Sequence, residues 1–161
     1  MADGATDGTA ADQVAADHIA ADRVAARLAR GVCRHLGALG YATLTEFPLA
    51  SGRRVDVIGI DGGGKVVIVE IKSCATDFRT DRKWTEYLEF CDAFYFAVDA
   101  GFPQALLPDG HGLMVADAYG AEIVRPAPAG SMNGSRRKAQ LLRVALTASQ
   151  RLQRLLDPTG M

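Results

Sequence analysis

No stretch of the 161-residue chain holds 18 consecutive apolar residues, so the sequence offers no membrane-spanning helix. The N-terminus, MADGATDGTAAD, has no basic region leading into an apolar run and does not read as a secretory signal. Cysteine is scarce and scattered. Cys33, Cys74 and Cys91 lack metal-ligand spacing, and an odd, dispersed set points to free thiols in a reducing cytoplasm. His18 and His35 have no partners at metal spacing, and His111 falls in a turn-rich loop. An excess of positive charge, the usual advertisement of a nucleic-acid binder, is missing too: the net charge is −1. The distribution is uneven, however. Residues 1–22 carry five Asp and no base, whereas Ser131 to the C-terminus carries six Arg or Lys against Asp157 alone. A near-neutral total can therefore hold a basic working face. There is no internal repeat. What the chain does have is 48% apolar residues, enough for one compact domain with a real core.

The informative stretch is RRVDVIGIDGGGKVVIVEIKSCATDFRTDRK, from Arg53 to Lys83. Two Val- and Ile-rich runs flank a glycine turn and read as a strand hairpin from Arg54 to Ser73. Asp56, Glu70 and Lys72 sit where strands favour apolar neighbours, a conflict expected mainly at functional sites. A three-residue loop, Gly62 to Gly64, sets Asp61 opposite Lys65 and Asp56 opposite Glu70. A five-residue loop shifts that pairing but keeps both carboxylates on one face, and a four-residue loop separates them. Lys72 shares the face of Glu70 in any register. Two opposed carboxylates repel, and a hard divalent cation held by carboxylates, a backbone carbonyl and waters relieves the repulsion. A neighbouring lysine can orient or deprotonate water, or offset charge developing on a phosphate. The pattern thus makes sense as metal-assisted phosphodiester hydrolysis. The plainer alternative is a solvated strand face on which Glu70 and Lys72 merely pair.

Gly59 to Lys65 matches the first seven positions of a phosphate-binding P-loop. The next residue is Val66, with no hydroxyl, and VVIVEI continues as a strand where a P-loop opens a helix. A hairpin turn is the better reading.

Asp56 together with Glu70-Ile71-Lys72 resembles the core of the PD-(D/E)xK nuclease superfamily. The runs VEIKSCATDFRTDRKWTEYLEFCDAFYFAV and GLMVADAYGAEIVR resemble the MmcB-related DNA repair proteins of that superfamily, over roughly residues 24 to 126. Val55 stands where the superfamily pattern has Pro. The resemblance implies a restriction-endonuclease-like core and an endonuclease site that uses Mg2+ or Mn2+. Asp56 and Glu70 would hold the ion, the carbonyl of Ile71 would be a third ligand, and Lys72 would position or activate water.

Around that core, residues 1–11 read as a disordered tail and residues 12–126 as the domain. Asp12 to Leu39 is helical, with Ala21, Val24, Leu28, Val32 and Leu36 on one stripe and Asp22, Arg23, Arg27, Arg30 and Arg34 mostly on the other side. Arg30 and Arg34 could touch phosphates, although a solvated face explains them as well. Tyr41 to Leu49 is a first strand, and Glu46 is either an auxiliary acid or a partner of Arg53 or Arg54. Beyond the hairpin, Thr80 or Asp81 is placed to cap a helix whose stripe is Trp84, Tyr87, Leu88 and Cys91. Trp84 reads as a core anchor. Asp77 and Arg79 flank the site by sequence, and Arg79 and Lys83 are candidate phosphate contacts. No basic neighbour is placed to activate Cys74. Ala93 to Asp99 reads as a buried strand. Leu113 to Asp117 and Ala121 to Arg125 form a strand pair around Tyr119-Gly120. Residues 127–134 read as a linker. Residues 135–161 read as a basic helical segment, packing on or extending the domain, with Leu141, Ala145, Ala148, Leu152 and Leu155 on one side.

The element order predicts an α/β domain with a mixed central sheet flanked by helices. DNA is the expected partner, gripped by Arg79, Lys83, Arg136, Arg137 and Lys138, while repair-protein partners and a homodimer stay open. The rival expectation is a non-catalytic DNA- or protein-binding module of a repair complex.

Overall fold

The computed structural model describes residues 7–80 and 82–159, with the side chains of residues 7–9, 77, 79 and 80 excepted. The chain runs through α1 (Asp7–Ala38), β1 (Ala42–Pro48), β2 (Arg54–Ile60), β3 (Val66–Ile71), α2 (Ala75–Thr80), a 3-10 helix (Lys83–Phe90), β4 (Ala93–Val98), a 3-10 turn (Gln104–Leu106), β5 (Gly112–Ala116), β6 (Ala121–Arg125) and α3 (Gly134–Leu156). The six strands form one sheet in sequential order. Pairs β1–β2, β2–β3 and β5–β6 are antiparallel, and β3–β4 and β4–β5 are parallel. This is a mixed sheet with helices on both faces.

Each face buries its own apolar set. Leu28, Val32 and Leu36 of α1 pack on Val57, Val67, Val69, Ala97 and Met114. The other face holds Phe47, Val55, Ile58, Ile68, Phe94 and Phe96, covered by Tyr87 and Met132 with Leu141 and Val144 of α3. β3 is buried on both faces along its whole length, hence its continuous VVIVEI composition. α1 can lie close to the β5–β6 turn because residue 31 is glycine. A Cβ there would sit 2.0 Å from the Asp117 carbonyl oxygen and 2.5 Å from that of Gly120.

Several expectations need correction. α1 begins at Asp7, so residues 7–11 of the expected tail are helical, and residues 1–6 lie outside the described residues. The connection beyond Lys72 holds a short helix, α2, and the helix expected after Thr80 or Asp81 is a 3-10 helix rather than an α-helix. Of its two expected caps, Asp81 and the Thr80 side chain lie outside the described residues. The 3-10 period of three selects Trp84, Tyr87 and Phe90 as the inward set, and leaves Leu88 exposed. Trp84 anchors an aromatic cluster, stacked on Phe94 at 5.8 Å and edge-on to Phe96 at 5.2 Å. His111 lies in the loop before β5, as expected, and from there joins the cluster 4.8 Å from Trp84. Burial, aided by Arg125, lowers its pKa.

On α3 the docked face lies one step round from the expected stripe. Gln140 is buried and Leu141 and Val144 pack inward, whereas Leu152 and Leu155 are exposed. Polar anchors decide this. Arg137 grips Asp92, Gln140 donates to the Phe90 carbonyl, and Arg151 donates to the carbonyls of Thr45 and Glu46. Residues 127–134 are tied in as well: Met132 N–H donates to Asp92 Oδ1, and Gly130 N–H to the Asp92 carbonyl.

Candidate functional site: an opening between two central strands

The hairpin closes as a three-residue loop. Val57 faces Val69, Ile58 faces Ile68 and Ile60 faces Val66, and Asp61 N–H donates to the Lys65 carbonyl. At the tip, Asp61 Oδ1 accepts the N–H groups of Gly63 and Lys65, both at 2.9 Å. Gly64 adopts φ +79°, where a side chain would be strained. The glycine run is therefore a turn whose N–H groups serve Asp61, not a phosphate cradle.

The ladder stops one step short of Asp56. On β2, Val55 and Ile58 share one core cluster while Val57 belongs to the other, so strict alternation slips between them. Opposite this point on β1, Glu46 has φ +50° and breaks the pairing of that strand too. Asp56 Oδ2 then accepts the Ile71 N–H at 2.7 Å, the group that would otherwise have continued the ladder. Glu70 lies near enough to act on the Asp56 carboxyl. Lys72 Nζ lies 3.0 Å from Glu70 Oε1. The expectation that the carboxylates meet as a cross-strand pair on one face is thus corrected. They meet in the opening left where the strands part, with Lys72 alongside Glu70.

The Lys72 N–H donates to the Ala97 carbonyl, which turns both polar groups of the Ile71 backbone toward β2. Its N–H meets Asp56, and its carbonyl lies on the same edge. Glu70 and Lys72 are 6% and 4% exposed. Asp56 is half-buried and lines a cavity of about 480 Å³ with Asp22, Ala26 and Arg30 of α1, and with Thr45, Glu46 and Arg54. Arg54 pairs with Glu46 at 2.6 Å. Burial raises the pKa of Asp56. The Ile71 N–H opposes that rise, Glu46 adds to it, and Lys72 and Glu70 pull it down.

The donors suit a hard divalent ion. Asp56, Glu70 and the Ile71 carbonyl supply oxygen only, and a cation would relieve the buried carboxylate pair. Among the described residues, no three His, Cys, Asp or Glu side chains converge as a metal cluster. Such an ion would complete its shell with water and substrate oxygens, as Mg2+ commonly does.

The expected phosphate contacts are dispersed. Lys83 is exposed on the 3-10 helix, away from the cavity at Asp56, and its charge acts on Glu86. The Arg79 side chain lies outside the described residues. Arg136 pairs with Glu89 at 3.1 Å and lies over the Phe90 ring. Arg137 faces the fold rather than a ligand, bonding both oxygens of Asp92 at 2.6 Å and the Gly64 carbonyl at 2.8 Å. Lys138 is exposed on α3. Sequence reasoning gave Arg54 only a surface pairing and Asp22 only a place on the outer side of α1, because nothing local shows which helix roofs the hairpin. It weighed Arg30 as a phosphate contact, and Arg30 lines the cavity.

The family model described as DNA repair protein MmcB-like matches residues 11–159. No curated protein matches the chain. Among solved structures, the SPO1766 protein of unknown function from Silicibacter pomeroyi is similar, with 49% identity and a TM-score of 0.80. The match covers 83% of this chain and 92% of that one. Among the described residues, no helix is long and apolar enough to cross a membrane.

Proposed function

The chain belongs to the MmcB-like DNA repair family, and from that premise we propose that it hydrolyses DNA phosphodiester bonds at a Mg2+-dependent site of the PD-(D/E)xK, restriction-endonuclease-like kind. One observation carries the reading: Asp56, Glu70 and Lys72 converge where β2 and β3 part. Asp56, Glu70 and the Ile71 carbonyl would hold the ion. Mg2+ supplies, when bound, neutralisation of phosphate charge and a more acidic water. The remaining work falls to the chain. The Ile71 N–H fixes the Asp56 carboxylate, and Glu70 fixes the Lys72 ammonium. Lys72 then presents a positioned donor to the attacking water or to the oxygen on which charge develops.

A second reading draws on the depth of Glu70 and Lys72: a non-catalytic DNA- or protein-binding module on the same fold. Single-turnover assays on single-stranded, duplex, branched and damaged DNA, with and without Mg2+ or Mn2+, separate the two. Ion-dependent cleavage is expected. Lys72→Met should leave DNA binding intact and lower the cleavage rate by about 10²-fold, because its contribution is made in the transition state. Binding without cleavage of any substrate establishes the second reading instead.

A further inference from the structure

Arg23, Arg27, Arg30 and Arg34 follow one another at intervals of four, three and four, which places them on one stripe of α1. The buried stripe, Leu28, Val32 and Leu36, lies on the opposite side. From Arg23 to Gly40 the sequence contains no acid. The outer side of this half of α1 is therefore a purely cationic ridge, about 16 Å long at 1.5 Å per residue.

Two further features adjoin the ridge. Arg30 lines the cavity into which Asp56 opens. At the other end, Arg34 Nη1 donates to the Ala118 carbonyl, and Gly31 touches the backbone of the same turn. That turn presents Tyr119, 81% exposed. The acids nearby are already engaged or lie to the side. Glu46 pairs with Arg54, Asp117 accepts the N–H groups of Tyr119 and Gly120 and feels the charge of Arg27, Asp99 beside Arg27 accepts the Gly101 N–H, and Asp22 lies at the cavity wall. On α3, Arg136, Arg137 and Arg151 are committed to contacts within the chain, as Arg34 of α1 is to the Ala118 carbonyl.

We propose that the outer stripe of α1 is the track for a single strand of DNA, with its phosphates on Arg23, Arg27, Arg30 and Arg34, one base stacked on Tyr119, and the backbone passing the cavity above Asp56. The assignment rests on the proposed reading of the Asp56 site for the identity of the polymer, and it moves the binding face from α3 to α1. Arginine suits the role, since its fork matches phosphate oxygens. An exposed tyrosine accepts any base, so the track is tolerant of sequence.

Fluorescence anisotropy tests this on the full chain, with a labelled 20-nucleotide single strand and the corresponding duplex, across a salt series in EDTA so that cleavage plays no part. The triple variant Arg23→Ala, Arg27→Ala, Arg30→Ala should lower the salt slope for the single strand by about 2, since each phosphate deprived of its arginine takes away about 0.7. A matched variant, Lys138→Ala with Arg143→Ala, should retain the wild-type slope. Tyr119→Ala should weaken single-strand binding about tenfold and leave duplex binding unchanged. These side chains are on the surface, and circular dichroism with a melting curve verifies that each variant is folded. A wild-type slope in the α1 variant, a loss confined to the α3 variant, or no binding of either probe by wild type overturns the track. Wild-type affinity in Tyr119→Ala overturns its stacking end. Ridge-dependent binding with no cleavage under any ion leaves the track standing and overturns the nuclease reading alone.

Discussion

The surroundings of Asp56 resist a charge on its carboxyl. Burial raises its pKa, and the neighbouring Glu46 acts in the same direction. The sign of the linkage follows. A carboxyl whose folded pKa lies above its unfolded one contributes stability below the unfolded pKa, and that contribution is gone once the pH passes the folded value. Ionising Asp56 in the ion-free protein thus costs stability. Asp56→Asn keeps an oxygen to accept the Ile71 N–H and removes the charge. Without divalent ions at pH 7, its Tm should exceed that of wild type by a few degrees, the shift that about 1 kcal/mol gives a chain of this length. Mg2+ should raise the wild-type Tm and leave that of the variant where it was. Calorimetry with and without Mg2+ decides the point. An unchanged wild-type Tm at saturating Mg2+ and Mn2+ counts directly against an ion at this site.

At the scale of elements, Asp92 ties together parts that are distant in sequence. It follows the 3-10 helix, and its carboxylate accepts the N–H groups of Val66 and Met132 and both arms of Arg137. Burial alone would raise its pKa. The Arg137 pair and the two N–H groups outweigh that and hold it at about 2, below the ordinary 3.8. A depressed carboxylate contributes stability that is present above the unfolded pKa and fades as the pH falls toward about 2. Asp92→Asn should cost on the order of 3 kcal/mol near neutrality, since it leaves Arg137 without its buried partner. Its stability should also vary less than that of wild type between pH 4 and 2. Urea melts across that range measure both effects. The same carboxylate, after burial, helps push the Cys91 thiol up to about 12, so Cys91 stays protonated and inert.

These elements also show what a linear sequence reveals. The β2–β3 register is legible because three consecutive glycines favour one short closure, and the site residues follow by counting. The slip at Asp56 is not, because it depends on Glu46 taking a left-handed conformation in a different strand. The inward set of the 3-10 helix is present in the spacing of Trp84, Tyr87 and Phe90, but Leu88 offers an equally good α-helical period until packing chooses. The partnership of Asp92 with Arg137 spans 45 residues, and no local pattern announces it.

For the whole molecule, the sequential strand order has a consequence in time. Every strand pairs with its neighbour in sequence; the three antiparallel pairs close over short turns, and the two parallel pairs need the longer crossovers before β4 and β5. The hairpin that holds Asp56, Glu70 and Lys72 spans fewer than twenty residues of continuous chain. α3 comes last, and it is secured to β1, to the β2–β3 turn and to Asp92 only after those parts exist to receive it. Its anchors are latecomers to the folding reaction, and so act on escape from the native state rather than on arrival. Arg137→Ala should therefore leave the refolding arm of a chevron plot nearly in place and speed unfolding by about tenfold or more. A comparable slowing of refolding would place α3 in the nucleus. If the arms behave as expected, the strands that hold Asp56, Glu70 and Lys72 owe their existence to early local pairing, and their lifetime to a helix that docks on them afterwards.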